Sequence, residues 1–258
     1  MKLSKICLIL LFTMFLAGYA QAGYLTGGDA ANKDTADAIL DIVFVIDTSG
    51  SMSNEASAIS TAMASVVTNL DCPDCNVWIQ ATFYGIAGIW GGTLFNASVN
   101  GTYVDSSEDN GTVVLDLLDS TYASSWMIGG ATTDQTYYKA IVSIGDEGTD
   151  DGYGVNSADY TASANAKAAA IANDVMIFAI YSDDYYGYDQ NVVDVFKAMT
   201  DGTGGSTILF DANSLEADLE AIICDAATGG GDTVPEPATM VLFGIGLLGF
   251  AGFARRKK

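Results

Sequence analysis

Residues 39–52 of this 258-residue chain have the sequence ILDIVFVIDTSGSM. The first eight residues are almost all apolar and many are β-branched, which is typical of a strand buried on both faces of a parallel sheet. This run ends at Asp47, and Ile59, Met63 and Val66 then fall on one stripe of a helix. A polar loop therefore joins the carboxyl end of a strand to a helix, where α/β sheets place their ligands.

The remaining apolar segments continue as an alternation of strands and helices. They predict strands over 77–84, 140–144, 175–180 and 207–210, a hairpin or edge strand over 86–104, and helices over 158–173, 192–199 and 215–223. Such alternation indicates an α/β fold. The sequence thus predicts a doubly wound, mostly parallel central sheet flanked by helices.

The charge balance of the chain limits its partners. The chain has 32 acidic and 10 basic residues, which is a formal net charge of −22. Between residues 23 and 234 the basic residues are four lysines, Lys33, Lys139, Lys167 and Lys197. Because so acidic a surface repels phosphate backbones and anionic lipid surfaces, we exclude nucleic acid as a partner. Solubility or a saline medium explains this surface better than a specific cationic partner does.

The chain contains no histidine, and arginine occurs only at Arg255 and Arg256. Histidine is a frequent general base, and arginine is the usual clamp for carboxylate or phosphate groups. Ser-His-Asp and Cys-His catalysis are therefore excluded, whereas hydrolysis by paired carboxylates is not. We expect from this composition that the protein is not an enzyme.

The N-terminus has the features of a signal peptide. Two lysines precede the apolar run 6–17, and residues 20–22, Ala-Gln-Ala, supply the small side chains that signal peptidase accepts. The apolar run is short for an uncleaved membrane anchor. We expect a signal peptide over 1–22 that signal peptidase cleaves after Ala22.

The C-terminus has the features of a membrane segment. Residues 238–254 are apolar or small throughout, and the basic sequence RRKK follows at 255–258. Seventeen residues at about 1.5 Å each are just long enough to cross a bilayer as a helix, and the basic end stays in the cytoplasm. The sequence therefore predicts one C-terminal transmembrane helix, with the body of the protein outside the cytoplasm.

Pro235, Glu236 and Pro237 stand directly before this segment. Together with the helix and the basic end, they resemble the PEP-CTERM sorting signal of Gram-negative bacteria, which a membrane exosortase recognises. The resemblance implies export to the cell envelope or extracellular surface, with the C-terminal helix in the inner membrane before sorting. A plain tail anchor with a proline-stiffened stalk is the alternative.

The polar loop of the opening segment resembles a known metal site. Asp47, Ser49 and Ser51 match the Asp-x-Ser-x-Ser motif of von Willebrand factor A domains, and Met52 follows as is usual in that family. The resemblance implies a Rossmann-like fold and a metal-ion-dependent adhesion site, of which these three side chains form the first arm. Hydroxyl and carboxylate oxygens suit a hard divalent cation such as Mg²⁺, with Mn²⁺ or Ca²⁺ as alternatives.

The third loop of such a site usually reads Thr-Asp-Gly, whereas residues 145–148 of this chain read Gly-Asp-Glu-Gly. We assign the aspartate role to Asp146, which ends the strand over 140–144. The threonine is missing and the glycine is shifted. The acidic residues that follow, including Glu147 and Asp150, are interpreted as a solvated loop in preference to a calcium site.

Two threonines are candidates for the second metal loop. Thr132, preceded by the glycine pair at 129–130, is locally the closer match to the family. It lies only 14 residues before Asp146, which is too few for a helix that crosses the domain and a strand that returns. Thr112 lies 34 residues before Asp146 and begins an apolar stripe over 113–118. We therefore prefer Thr112 as the ligand, with Thr132 as the alternative.

Three cysteines, Cys72, Cys75 and Cys224, remain after signal cleavage. A structural zinc site needs four nitrogen or sulfur ligands, so three thiols without imidazole favour a disulfide in an oxidising compartment. In the fold that the resemblance implies, the far ends of the first and last helices are neighbours. This favours a bridge from Cys224 to Cys72 or Cys75, and a local Cys72–Cys75 bond is the competitor.

These features divide the chain into five segments. They are a signal peptide over 1–22, an N-terminal lead-in over 23–37, a von Willebrand factor A-like domain over 38–225, a glycine-rich linker over 226–234 and a sorting signal over 235–258 that includes a transmembrane helix over 238–254.

The function that these segments imply is a surface-displayed, metal-dependent binding or adhesion module. Its ligand would be a protein or exopolysaccharide that bears an acidic group, and its processing partners would be signal peptidase and an exosortase. One alternative is a structural matrix protein whose metal site is vestigial. Another is a metal-dependent hydrolase of surface polymer.

Overall fold

The structure of the chain is a computed structural model that describes residues 23–53, 55–72, 75–86, 109–119, 123, 126–150, 154–183 and 188–230. The signal peptide, the sorting motif, the C-terminal membrane segment and the expected hairpin beyond Ile86 lie outside the described residues. Within these ranges, no helix has the length and apolar character that crossing a bilayer requires.

The fold is mixed α/β, with a six-stranded central sheet flanked by helices. The strands are β1 (Gly23–Gly28), β2 (Ala38–Asp47), β3 (Val77–Ile86), β4 (Thr136–Gly145), β5 (Met176–Tyr181) and β6 (Thr207–Leu209). The helices are α1 (Ala56–Asn69), α2 (Asn110–Leu118), α3 (Ser157–Asn173), α4 (Gln190–Thr200) and α5 (Leu215–Ala227), and short 3₁₀ turns lie at Lys33–Thr35 and Ser51–Ser53. The strand order is β1-β3-β2-β4-β5-β6, and every neighbouring pair except β1 and β3 is parallel.

The central strand β2 carries the continuous apolar run, and all ten of its residues are buried. Side chains alternate between the two faces of a strand, so this strand contributes to two separate cores. Phe44 lies in the core that α1 and α5 cover, where its ring stacks on Phe83 of β3 at 5.1 Å. Val43 and Val45 lie in the core that α2, α3 and α4 cover. Helices on both faces explain why β2 has no polar alternation.

The helices begin and end near the predicted positions. The apolar stripe of α2, which includes Val113 and Leu117, is buried as the spacing predicted. The helix α3 begins with a capping box, in which Asn156 Oδ1 accepts from the backbone N–H of Ala158 and the carboxylate of Asp159 accepts from that of Asn156. The last helix continues to Ala227, two residues into the segment expected as a linker.

The segment expected as a lead-in contributes the antiparallel edge strand β1. Its glycines have low strand propensity, which is why the sequence pattern did not indicate a strand. Gly27 is required by packing, because a Cβ at this position would lie 1.8 Å from the backbone oxygen of Val67 in α1. The close approach of α1 to β1 thus explains why a glycine stands at this position.

The structure does not contain the expected bridge from Cys224 to Cys72 or Cys75. The structure has the competing local disulfide between Cys72 and Cys75, whose Cα atoms are 5.5 Å apart in the loop between α1 and β3. Cys224, on α5, carries a thiol. The expected proximity of the two helix ends is nevertheless correct, since the three sulfurs lie within 4.8 Å of one another.

Candidate metal centre

The loop that follows β2 brings three polar side chains together. Oδ1 of Asp47 accepts a hydrogen bond of 2.7 Å from the backbone N–H of Ser49, and the hydroxyls of Ser49 and Ser51 share one of 2.6 Å. All three residues are buried. A short 3₁₀ turn at Ser51–Ser53 then leads toward α1. The first predicted arm is therefore compact, and its oxygen atoms are drawn close together.

The loop after β4 meets this arm because β2 and β4 are neighbouring parallel strands. The hydroxyl of Ser51 donates a hydrogen bond of 3.2 Å to Oδ1 of Asp146, which is 5% exposed. The structure thus brings together Asp47, Ser49, Ser51 and Asp146, four of the residues that the sequence indicated. They lie at the carboxyl edge of the sheet, where α/β folds bind ligands.

The start of α3 organises the loop after β4. Oδ1 of Asp159 accepts a hydrogen bond of 2.8 Å from the backbone N–H of Asp150, and a Cβ on Gly148 would lie 2.4 Å from this same oxygen. The hydroxyl of Thr149 donates to the backbone oxygen of Asp159. The glycine that is shifted relative to the family pattern is therefore needed here for the close approach of Asp159.

The two threonine candidates lie in different places. Thr112 is in the first turn of α2, and its hydroxyl donates a hydrogen bond of 3.3 Å to Oδ1 of Asp150 in a groove between α2 and α3. Thr132 is exposed and lies before the start of β4. Because β4 has ten residues, about 30 Å separates Thr132 from the edge that carries Asp146. The structure therefore does not bring Thr132 to the candidate site.

Asn110 is a site residue that the sequence analysis missed. It is 2% exposed, and its Oδ1 has no hydrogen-bond partner among the described residues. Its Nδ2 lies 2.6 Å from where a Cβ on Gly145 would be, and the Cβ of Asp47 lies 3.5 Å from that same point. The first residue of α2 thus abuts the strand ends, with Thr112 two residues further along. The apolar stripe that located the helix could not indicate which polar residue at its start faces inward.

Glu55 is a second residue that the sequence analysis missed. It is 1% exposed, and its Oε1 accepts a hydrogen bond of 2.7 Å from the hydroxyl of Ser182. Its Oε2 is buried and has no hydrogen-bond partner among the described residues. The backbone N–H of Ser182 in turn donates to the carbonyl of Gly145, the residue before Asp146. Ser182 therefore connects Glu55 to the loop after β4. Its position just before an apolar helical stripe gave no signal in the sequence that it would be buried.

Four carboxylates, Asp47, Glu55, Asp146 and Glu147, are buried at this edge. The interpretation of Glu147 as part of a solvated loop is therefore wrong, because the turn after β4 folds inward and leaves it 9% exposed. Buried carboxylates are normally paired or coordinate a metal ion. Negative charge is therefore concentrated at the carboxyl ends of these strands.

Negative charges near this edge also affect the pKa of a neighbouring tyrosine. Tyr181 ends β5, and its hydroxyl oxygen accepts a hydrogen bond of 2.9 Å from the backbone N–H of Asp189. Burial raises the pKa of Tyr181, and the negative charges of Asp183, Asp189 and Asp146 raise it further, although the hydrogen bond from Asp189 opposes this. Without a bound cation, the potential at this edge of the sheet is thus negative.

The donor set of the site fits a hard divalent cation. It comprises carboxylate oxygens, two serine hydroxyls and one amide, which are the ligand types of Mg²⁺, Ca²⁺ and Mn²⁺. The three cysteines are, among the described residues, the one group of three acidic, cysteine or histidine side chains whose ligand atoms lie within 4.8 Å of one another. A cation at the strand edge would therefore depend on the hydroxyls and the amide as well as on the carboxylates.

Comparison with known proteins identifies the C-terminus. Residues 233–257 match the PEP-CTERM protein-sorting motif, which confirms the sorting signal that the sequence indicated. No curated protein matches the sequence of the chain.

The structure of this chain is similar to several solved structures, including the following three. The human COPII-coat protein Sec24c is 9% identical with a TM-score of 0.47, over 77% of this chain and 34% of that protein. An esterase domain from Rhodothermus marinus is 11% identical with a TM-score of 0.31, over 79% and 96%. A Klebsiella pneumoniae protein with a provisional dienelactone hydrolase assignment is 10% identical with a TM-score of 0.34, over 79% and 98%. This chain thus spans about a third of the length of Sec24c.

These likenesses correct one expectation. The prediction that the protein is not an enzyme is contradicted, because hydrolases occur among the proteins of similar structure, and it is withdrawn. At these TM-scores the likenesses assign no activity to this chain. The sorting motif does carry a conclusion, namely that this is an exported, extracellular protein that an exosortase recognises and sorts at the cell envelope.

Proposed function

We propose that this exported protein is a metal-dependent binding module. A divalent cation, Mg²⁺ or alternatively Mn²⁺ or Ca²⁺, would be held by Asp47, Ser49, Ser51, Asn110 and Asp146. The bound cation would take an acidic group of a protein or exopolysaccharide ligand. Export places this site outside the cytoplasm, where such ligands occur.

The proposal rests on one observation, the convergence of two loops on buried oxygen atoms. The hydrogen bond from Ser51 to Asp146 joins loops that are 95 residues apart in sequence. Asn110 Oδ1, on the neighbouring helix start, is buried without a hydrogen-bond partner among the described residues. A buried polar atom without a partner is rare because it is costly, and a bound cation would satisfy it.

The types of ligand explain why such a site would recognise an acidic group. Serine hydroxyls and an amide are neutral, so a cation that they hold keeps much of its charge and accepts a further carboxylate readily. The resemblance of residues 47–52 to the von Willebrand factor A motif supports the same chemistry. Thr112, which its spacing to Asp146 favoured as a ligand, would contribute through its hydrogen bond to Asp150 rather than as a direct ligand.

The proposal is tested by metal titration of the purified native protein. We expect isothermal titration calorimetry to show saturable binding of Mg²⁺ or Mn²⁺ after treatment with a chelator. The cation should also raise the midpoint of thermal unfolding, since a ligand at 100 times its Kd stabilises by about 2.7 kcal/mol. Absence of both effects for all three cations would refute the metal site.

The ligand is tested separately, by capture of envelope polymer and surface proteins on the immobilised protein. We expect capture to be lost with chelator and restored by Mg²⁺ or Mn²⁺. If the protein binds cations but capture is the same with and without chelator, the acidic-ligand proposal is wrong. The alternative of a structural matrix protein with a vestigial site predicts that result.

A further inference from the structure

The three cysteines of the described chain form a cluster near the start of β3, at the opposite end of the strands from the candidate metal centre. Their Sγ atoms lie within 4.8 Å of one another. Cys72 and Cys75 form the disulfide, and Cys224 on α5 carries a thiol beside it. A thiol next to a disulfide is the arrangement from which thiol–disulfide exchange proceeds.

Two side-chain hydrogen bonds hold α5 against α1 and the loop that carries the disulfide. Oε1 of Glu220 accepts from the backbone N–H of Asp71 at 3.0 Å, and Oε1 of Glu216 accepts from the hydroxyl of Ser65 at 2.6 Å. The sulfur of Cys224, one helical turn beyond Glu220, is thus kept close to the disulfide by contacts that do not involve the cysteines. The packing of α5 against α1 and this loop therefore brings the three cysteines together independently of any bond between them.

We infer that the three cysteines are an internal exchange site, in which the disulfide moves from Cys72–Cys75 to Cys72–Cys224. In this step the thiolate of Cys224 attacks Sγ of Cys72. A new bond forms between these two sulfurs, the bond from Cys72 to Cys75 breaks, and Cys75 leaves as a thiolate that takes up a proton. One disulfide and one thiol are present before and after, so the step needs no oxidant and no reductant.

Burial decides which sulfur leaves. Cys72 is 4% exposed and belongs to the core under α1 and α5, whereas Cys75 is only partly buried at its margin. Burial disfavours a thiolate, so the negative charge is better placed on Cys75, which is nearer to water. Cys72 thus remains bonded in both forms, and Cys75 and Cys224 exchange as its partner.

Burial and the acidic residues around Cys224 slow the exchange at neutral pH. Burial raises the pKa of the Cys224 thiol to about 11, and the charges of Glu220, Asp29 and Asp71 contribute to the rise. These carboxylates come from α5, from the loop after β1 and from the loop after α1. Because the thiolate is the attacking species, its fraction and hence the rate should increase about 100-fold between pH 7 and pH 9.

The exchanged bridge would change how α5 is attached. In the local form, the disulfide lies entirely within the loop between α1 and β3, and α5 is held by packing and hydrogen bonds. In the exchanged form, α5 is bonded covalently to that loop. The sorting motif over 233–257 follows α5 in the sequence, so the bridge would tie the element next to the sorting signal to the body of the protein.

The exchange is tested by mapping the disulfide in the purified native protein, incubated at pH 7 and pH 9 without added thiol or oxidant. After alkylation with N-ethylmaleimide under acid quench, digestion before aspartate places each cysteine on its own peptide, over 71–73, 74–104 and 218–224. We expect peptide 71–73 to become linked to 218–224 while 74–104 becomes alkylated, about 100-fold faster at pH 9 than at pH 7.

Cys224→Ser is the matched control, and it should keep peptide 71–73 linked to 74–104 at both pH values. Cys75→Ser gives an independent test, because on air oxidation its remaining cysteines should form the Cys72–Cys224 bridge within one molecule. The inference is overturned if Cys224 of the native protein stays alkylated at both pH values. It is also overturned if the folded Cys75→Ser protein keeps two free thiols or links two copies.

Discussion

The hydroxyl of Ser51 donates a hydrogen bond of 3.2 Å to Oδ1 of Asp146 across the carboxyl ends of two neighbouring strands. Ser51 belongs to the loop after β2, and Asp146 begins the loop after β4. Because one bond joins the two loops, a substitution in either one should affect cation binding through the other. The predictions for the candidate metal centre follow from this coupling.

The carboxylates of the two loops should be essential for cation binding. We expect Asp47→Asn and Asp146→Asn each to weaken Mg²⁺ binding by about tenfold or more, since each removes a negative charge from the proposed ligand set. The matched control is Asp134→Asn, because Asp134 is exposed and lies before the start of β4, at the opposite edge of the sheet. Equal affinities of the three variants in calorimetry would contradict the prediction.

Asn110 should contribute more to cation binding than either threonine candidate. We expect Asn110→Ala to weaken Mg²⁺ binding by about tenfold or more, and Thr132→Ala to bind like the parent protein. Thr112→Ala should have a small effect, since its hydroxyl contacts Asp150. Titration of the three variants measures this order. A full loss of binding in Thr132→Ala, with none in Asn110→Ala, would place the second loop elsewhere.

Gly145→Ala should disturb both the site and the fold. The added Cβ would lie 2.6 Å from Nδ2 of Asn110, a distance that forces Asn110 to move. We expect the free energy of unfolding to fall by about 1–3 kcal/mol, as for other overpacked positions, and cation affinity to decrease. Gly50→Ala is the control in urea denaturation, because a Cβ there meets nothing within 4 Å. Unchanged stability of Gly145→Ala would show that the strand ends are less tightly packed.

The stability of the protein should fall at alkaline pH through Tyr137. Its hydroxyl donates a hydrogen bond of 2.5 Å to Asp41, and burial together with this carboxylate raises the pKa of Tyr137 well above its usual range. The folded state therefore binds this proton more tightly than the unfolded state, in which the pKa is about 10. The stabilisation is complete below about pH 10 and is lost as the pH rises further.

Tyr137→Phe tests this contribution in urea denaturation at several pH values. At pH 7 we expect a loss of about 1–3 kcal/mol, because Asp41 loses one of its hydrogen-bond donors. Above about pH 10 the variant should lose stability less steeply than the parent. The parent and the Tyr137→Phe variant should both carry Cys224→Ser. The pKa of the Cys224 thiol is raised to about 11, so this thiol also lowers the stability as the pH rises. Identical slopes with pH would contradict the role of Tyr137.

The sorting motif predicts that the mature surface protein lacks its C-terminal helix. In a host with an exosortase, we expect mass spectrometry of the envelope protein to find a C-terminus upstream of residue 238. Replacement of Pro235 and Pro237 by alanine should leave the protein uncleaved in the inner membrane. Recovery of the parent protein with residues 255–258 intact would show that this tail is not removed.

The sequence by itself determined the features that depend on contiguous residues. The apolar run that ends at Asp47 predicted β2 and its polar loop, because a strand covered on both faces needs a continuous apolar sequence. The stripe that includes Val113 and Leu117 predicted α2, because helical side chains at such spacings share one face. The sorting motif could also be predicted from the sequence, since its parts follow one another in the chain.

Only the tertiary structure decided which distant residues meet. The role of Asn110 depends on how α2 packs against the end of β4, and that of Glu55 depends on the order of β4 and β5, which brings Ser182 beside it. The same is true of the cysteines, for which the sequence predicted proximity but favoured a different bonded pair. Local periodicity specifies which face of an element is buried, whereas contacts between loops depend on strand order and on packing distances of a few ångströms.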